Sequence, residues 1–276
     1  AIFLSIFLFF CTWKTEARNS DYKIIDSLKT ALKHAQSITQ KTETLIKLSS
    51  YSEYIGPDNA IKLAKEGLSY AKKTNNFEQI SLAYTSLGIA YEIKSDYPHA
   101  LNNFYNALEI SKKSDNTTEL TTLYNNIGLI YIDLKNYKQG LIFYKKALEL
   151  SYKRNKERNV SLLLNNIGDV YLQKKEYKKA LTYFYKALII NKKKEDATGI
   201  GINLTNIGIC YINIKNYEKG IEMINKSITA YDDNTNLYNT FNNYELGRAY
   251  YLMSQDEKYA ANKNQYLDNS INLLEN

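Results

Sequence analysis

Glycine recurs at positions 88, 128, 168 and 208, 40 residues apart, inside "YTSLGIAYEIKSDY", "YNNIGLIYIDLKNY", "LNNIGDVYLQKKEY" and "LTNIGICYINIKNY". Each unit can be numbered so that its glycine is position 8. Position 4 then holds Tyr84, Tyr124, Leu164 and Leu204, position 7 holds Leu87, Ile127, Ile167 and Ile207, and position 11 holds Tyr91, Tyr131, Tyr171 and Tyr211. Offsets of three, four and seven trace one face of a helix. A second helical pattern follows in every unit. Position 17 is tyrosine (Tyr97, Tyr137, Tyr177, Tyr217), position 20 is small (Ala100, Gly140, Ala180, Gly220), position 24 is large (Phe104, Tyr144, Phe184, Ile224) and position 27 is small again (Ala107, Ala147, Ala187, Ser227). Each unit therefore reads as two helices joined by a polar turn at "KSD", "LKN", "KKE" or "IKN".

A glycine inside a helix costs about 1 kcal/mol against alanine. Close helix crossing offsets that cost, because a small residue lets two backbones approach while a large neighbour fills the hollow beside it. Composition agrees with long helices. The 276 residues contain only two prolines and 11 glycines, too few turn formers for a sandwich or barrel, and the hydrophobic content of 44% is ample for a core.

The pattern Tyr84-x2-Leu87-Gly88-x2-Tyr91, followed by Ala100-x3-Phe104 and Ala107, resembles the tetratricopeptide repeat over residues 78–230. The resemblance implies an all-α fold, a right-handed α-solenoid of about six antiparallel helix pairs. Two departures stand out. The period is 40 rather than about 34, and Lys112, Tyr152, Lys192 and Asp232 occupy the place of the closing proline. Both fit longer helices, as in the extended repeats of kinesin light chains and of exported Bacteroidetes-type signalling proteins.

The flanks are less regular. "AIFLSIFLFFCTW" is the length of a secretory h-region and too short to span a bilayer, so residues 1–17 read as an N-terminally incomplete signal peptide with cleavage after Ala17. Phe10 before Cys11 does not suit a lipidation signal. The expected organisation continues with a capping helix at 18–40, a degenerate repeat at 41–76 whose turn is marked by Gly56 and Pro57, and a partial repeat at 238–276. Removal of the leader leaves Cys210 without a disulfide partner, in an apolar helical segment where it reads as a buried hydrophobe.

Positions 2, 6, 9 and 13 form a stripe roughly opposite the packed face of the first helix. The family resemblance implies that this stripe lines a concave groove that binds a protein or peptide. Its candidate residues are Ser86, Asn126, Asn166 and Asn206 at position 6 and Ile89, Leu129, Asp169 and Ile209 at position 9, with Asn125 and Asn165 at the edge. Carboxamides supply donors and acceptors for a peptide backbone, and the aliphatics can take its side chains. The competing reading makes the asparagines struts between helices. A carboxylate clamp needs lysine at position 5, where Thr85, Asn125, Asn165 and Thr205 stand.

The charge of +7 is uneven. Residues 141–200 carry 14 basic and 6 acidic side chains, and residues 231–276 carry 3 and 7. Most of the lysines fall in turns and second helices, which suits a solvated face, and no nucleic-acid motif accompanies them. His34 and His99 lack metal-ligand spacing, no phosphate loop or nucleophile elbow is present, and the sequence calls for no catalytic residue, metal or cofactor. "GIGIN" at 199–203 reads as a flexible joint. Two functions are expected of such a chain: a non-catalytic binding scaffold in the periplasm, or the extracytoplasmic sensor of a membrane-bound histidine kinase or helix-turn-helix regulator whose output domain lies beyond this chain. A membrane enters only through such an unseen C-terminal segment.

Overall fold

The computed structural model describes residues 16–113, 117–154, 157–230 and 236–275. The apolar opening segment and Cys11 lie outside them. The described residues are helical throughout, with no strand: α1 (Glu16–His34), α2 (Ile38–Ser49), the single turn α3 (Ser52–Ile55), α4 (Pro57–Lys73), α5 (Phe77–Ile93), α6 (Tyr97–Lys113), α7 (Thr117–Asp133), α8 (Tyr137–Lys153), α9 (Glu157–Gln173), α10 (Tyr177–Lys193), α11 (Ala197–Asn213), α12 (Tyr217–Ala230), α13 (Asn236–Gln255) and α14 (Lys263–Glu275), with a 3₁₀ segment at Glu257–Asn262. The described residues divide into two compact units, one up to Leu150 and one from Ser151.

Every helix from α5 to α11 has 17 residues. The long period thus arises from helices that run past the usual stopping point. The turns explain how the chain reverses without proline or glycine. After α5, the amide of Asp96 donates to the carbonyl of Tyr91 and that of Ser95 to Glu92. The same pair of bonds recurs at Asn136 and Lys135, at Glu176 and Lys175, and at Asn216 and Lys215. This is the Schellman arrangement, which satisfies the last helical carbonyls by placing one residue in the left-handed region. Ser95, Lys135, Lys175 and Lys215 occupy it, with φ from +59° to +64°. In two of these turns the next residue then caps the second helix. The Asp96 carboxylate accepts from the His99 amide, and Asn136 Oδ1 accepts from the Gln139 amide.

In the first unit, α5 packs on α6 around Ala100, Phe104 and Ala107, and α7 adds Leu123, Ile127 and Ile130. In the second, Ala180, Phe184 and Leu188 of α10 meet Leu204, Ile207 and Cys210 of α11. A further cluster joins α11 and α12 to α13 through Ile212, Ile224, Leu246 and Met253. The glycines behave as packing residues. A Cβ on Gly168 would lie 2.6 Å from the Phe184 ring, one on Gly128 2.7 Å from Tyr144, and one on Gly208 2.6 Å from Ile224. Phe104 fills the same place against Gly88.

Three local expectations change. The leading helix ends at His34 rather than near 40, because Ser37 starts α2 by accepting from the Gln40 amide at 3.1 Å. The first helix of the degenerate repeat is broken into α2 and α3, with Gly56 at φ +83° ahead of Pro57 at the start of α4. "GIGIN" is no joint: it lies within α11, where Gly199 makes room for Asn191, whose Nδ2 would sit 2.5 Å from an added Cβ.

Candidate functional site

Packing of the glycine face against the second helix turns the opposite side of each first helix away from that partner, and the predicted stripe lies there. In the first unit, Ser86 is only 5% exposed and Ile89 packs partly against the α5–α7 core. Asn125 and Asn126 are half-buried, joined by a bond from Asn125 Nδ2 to Asn126 Oδ1 at 3.4 Å, and Leu129 is 37% exposed. Near the end of this stripe, burial and then the charge of Asp133 push the Glu92 carboxyl up to about 7.

The second unit brings its residues together. Asn165 Nδ2 donates to Asp169 Oδ2 at 3.1 Å, and Asn206 Nδ2 donates both to Asn165 Oδ1 at 3.1 Å and to Asp169 Oδ1 at 3.3 Å. The cluster ties α9 to α11. Asn166 and Ile209 flank it on the same two helices, both partly buried. Burial pushes the Asp169 carboxyl up to about 7, with no cation among the described residues holding it down.

Two members escape the periodic reading. Asn203, 1% exposed, donates to Asn165 Oδ1 at 3.0 Å, and Asn191, 5% exposed, donates to Asn203 Oδ1 at 2.8 Å. The amides form a directed chain, Asn191 to Asn203 to Asn165 to Asp169, in which each N–H points toward the carboxylate and polarises the next. One signal was available. Asn203 stands where the other repeats have Ala83, Leu123 and Leu163, all buried.

Elsewhere polar groups pair inside the stack. Ser81 Oγ donates to Glu119 Oε1 at 2.6 Å, and Thr205 Oγ1 bonds to Asn242 Oδ1 at 2.7 Å. The motif tyrosines are not simply core. Tyr91 stacks on His99, and Lys219 lies 4.5 Å above the Tyr211 ring. Cys210 is buried and free, its thiol pushed up to about 12 by burial and then by Asp169, so it is no nucleophile at neutral pH. Among the described residues no group of three His, Cys, Asp or Glu could hold a metal ion, and no helix is long and apolar enough to cross a membrane.

The tetratricopeptide repeat profile matches three overlapping stretches, residues 78–153, 118–193 and 159–233. No curated protein sequence matches the chain. Similar solved structures include BtubC from P. vanneervenii, with 18% identity and a TM-score of 0.65 over 77% of this chain and 88% of that one. The apo quorum sensor NprR from B. thuringiensis aligns with 19% identity and a TM-score of 0.60 over 92% and 71%. A Rap protein complexed with competence and sporulation factor aligns with 15% identity and a TM-score of 0.64 over 94% and 73%. Identities this low speak for fold alone. The profile, however, covers more than half of the sequence and falls on the repeats whose glycines, aromatics and helix pairs have just been described: the chain belongs to the tetratricopeptide repeat family.

Proposed function

We propose that the protein is a non-catalytic scaffold that binds a peptide or protein segment along the exposed side of its first helices, in a concave groove, outside the cytoplasm. The observation that carries this is the stripe itself. Asn125, Asn126, Asn165, Asn166 and Asn206 remain partly open to solvent beside Leu129 and Ile209, a mixture suited to a peptide backbone and its side chains. The Rap structure, which holds a factor, and the quorum sensor NprR support ligand recognition by this fold. The extracytoplasmic location rests on the apolar opening segment. A sensor role in a longer signalling protein is the second reading, favoured by the NprR likeness.

The test pairs Asn166→Ala with Gly168→Leu. The first should leave thermal unfolding nearly unchanged and weaken capture of a periplasmic ligand, whereas the second should unfold early with or without ligand. Equal loss of stability in both would make the asparagine a strut and end the groove assignment. Fusion of the gene's 5′ coding region through the Ala17 codon to alkaline phosphatase tests export: an inactive fusion removes the periplasmic reading.

A further inference from the structure

The hydrogen bonds around Asp169 run in one direction. Asn165 spends Nδ2 on the carboxylate, Asn203 donates to Asn165, and Asn206 uses Nδ2 on both Asn165 and Asp169. What the cluster still offers a ligand is therefore oxygen. A carboxylate has about four acceptor positions, and among the described residues only Asn165 and Asn206 occupy any of them. Asn206 Oδ1 accepts no hydrogen bond among the described residues. No lysine, arginine or histidine among them pairs with Asp169, and burial alone raises its carboxyl.

A half-buried carboxylate, fixed by two amides and lacking a cation, has an unmet complement. We propose that the face between α9 and α11 takes a cationic N–H donor, an ammonium or guanidinium group of the bound peptide, against Asp169 and Asn206 Oδ1. This deepens the peptide-binding reading and rests on it for the identity of the carrier. The other three repeats place Ile89, Leu129 and Ile209 at the position of Asp169. One charge among four equivalent sites fixes register, since a basic group in the ligand must lie against α9 while its apolar side chains meet the other repeats. A guanidinium fits best, because its parallel N–H groups can bridge two oxygens at once.

The experiment uses the full chain with 15N-labelled asparagine and two small probes, argininamide and its isostere citrulline amide, both Nα-acetylated so that the guanidinium is the only charge that differs. Argininamide should shift the side-chain amide signals of Asn165 and Asn206 saturably, and citrulline amide should not. Asp169→Asn should abolish the response. Asp169→Ile, which copies the residue at 89 and 209, serves if the first variant melts early. Equal responses to both probes, no response, or a response that survives both substitutions overturns the site.

A second arm uses N-acetylated hexapeptide pools with arginine or citrulline fixed at one central position, and a third pool with a free N-terminus and no basic residue. Retention of the arginine pool by about tenfold over citrulline, lost in Asp169→Asn, supports a side-chain cation. Selective retention of the third pool assigns the terminal amine instead. If argininamide binds but no pool is retained, the cation site stands and the peptide reading falls. If the arginine, citrulline and free-amine pools are retained equally, the peptide reading stands and the cation site falls.

Discussion

A lysine with φ of +64° is held against its own preference. Lys215 adopts this conformation because its amide closes the α11 turn onto Ile212. For a residue with a Cβ the left-handed region costs roughly 1 kcal/mol, which glycine avoids while losing more freedom on folding. Lys215→Gly should therefore raise stability by about 0.5–1 kcal/mol, read from the urea midpoint. Asp169 gives a prediction of opposite character. Its carboxyl moves from 3.8 in the free residue to about 7 in the fold, so the native state keeps a proton that the unfolded chain has released. Its stabilising share is complete below about pH 4 and declines as pH rises to about 7. Cys210, the other titratable group facing it, stays neutral across that range. The melting-temperature advantage of the native protein over Asp169→Asn should thus shrink from pH 4 to pH 7 and level off above; an advantage constant with pH would contradict the shifted carboxyl.

Helix pairs show where sequence reading succeeds. The glycine, the large residue 16 positions later and the small residues around it were legible because each returns every 40 residues. Periodicity even distinguishes two packing solutions. Gly140 and Gly220 face Ile132 and Ile212, while Ala100 and Ala180 occur in repeats with Glu92 and Leu172 at the corresponding place. Gly168→Ala should push its methyl into the Phe184 ring and destabilise by about 1–3 kcal/mol, and Phe184→Leu in the same chain should recover part of the loss in a double-mutant cycle. The amide chain was not legible. Asn203 pairs with residues 12 and 38 positions away, and its role depends on how each carboxamide is turned, which repeats do not encode. The compensation of Asn191 by Gly199 was hidden for the same reason, and looked like flexibility.

Across the whole molecule, two compact units are built from one recurring step, so stability is largely a sum of neighbour contacts. Removal of residues 161–200 joins Val160 to Gly201 in register and should leave mean residue ellipticity within about 10% of the parent. Removal of 181–200 alone keeps the turn spacing but denies Gly168 its Phe184, and circular dichroism and light scattering should show lost cooperativity and aggregation. Equal behaviour of the two deletions would mean that packing faces do not define the repeat. The described non-glycine residues with positive φ, Asn75, Ser95, Lys135, Lys175, Glu195 and Lys215, all fall on a 20-residue grid. That cadence bears on heredity: because the described reversals from Asn75 to Lys215 use the same backbone hinge, unequal recombination between gene copies can lengthen or shorten the protein by whole repeats, so reach can evolve before any new surface does.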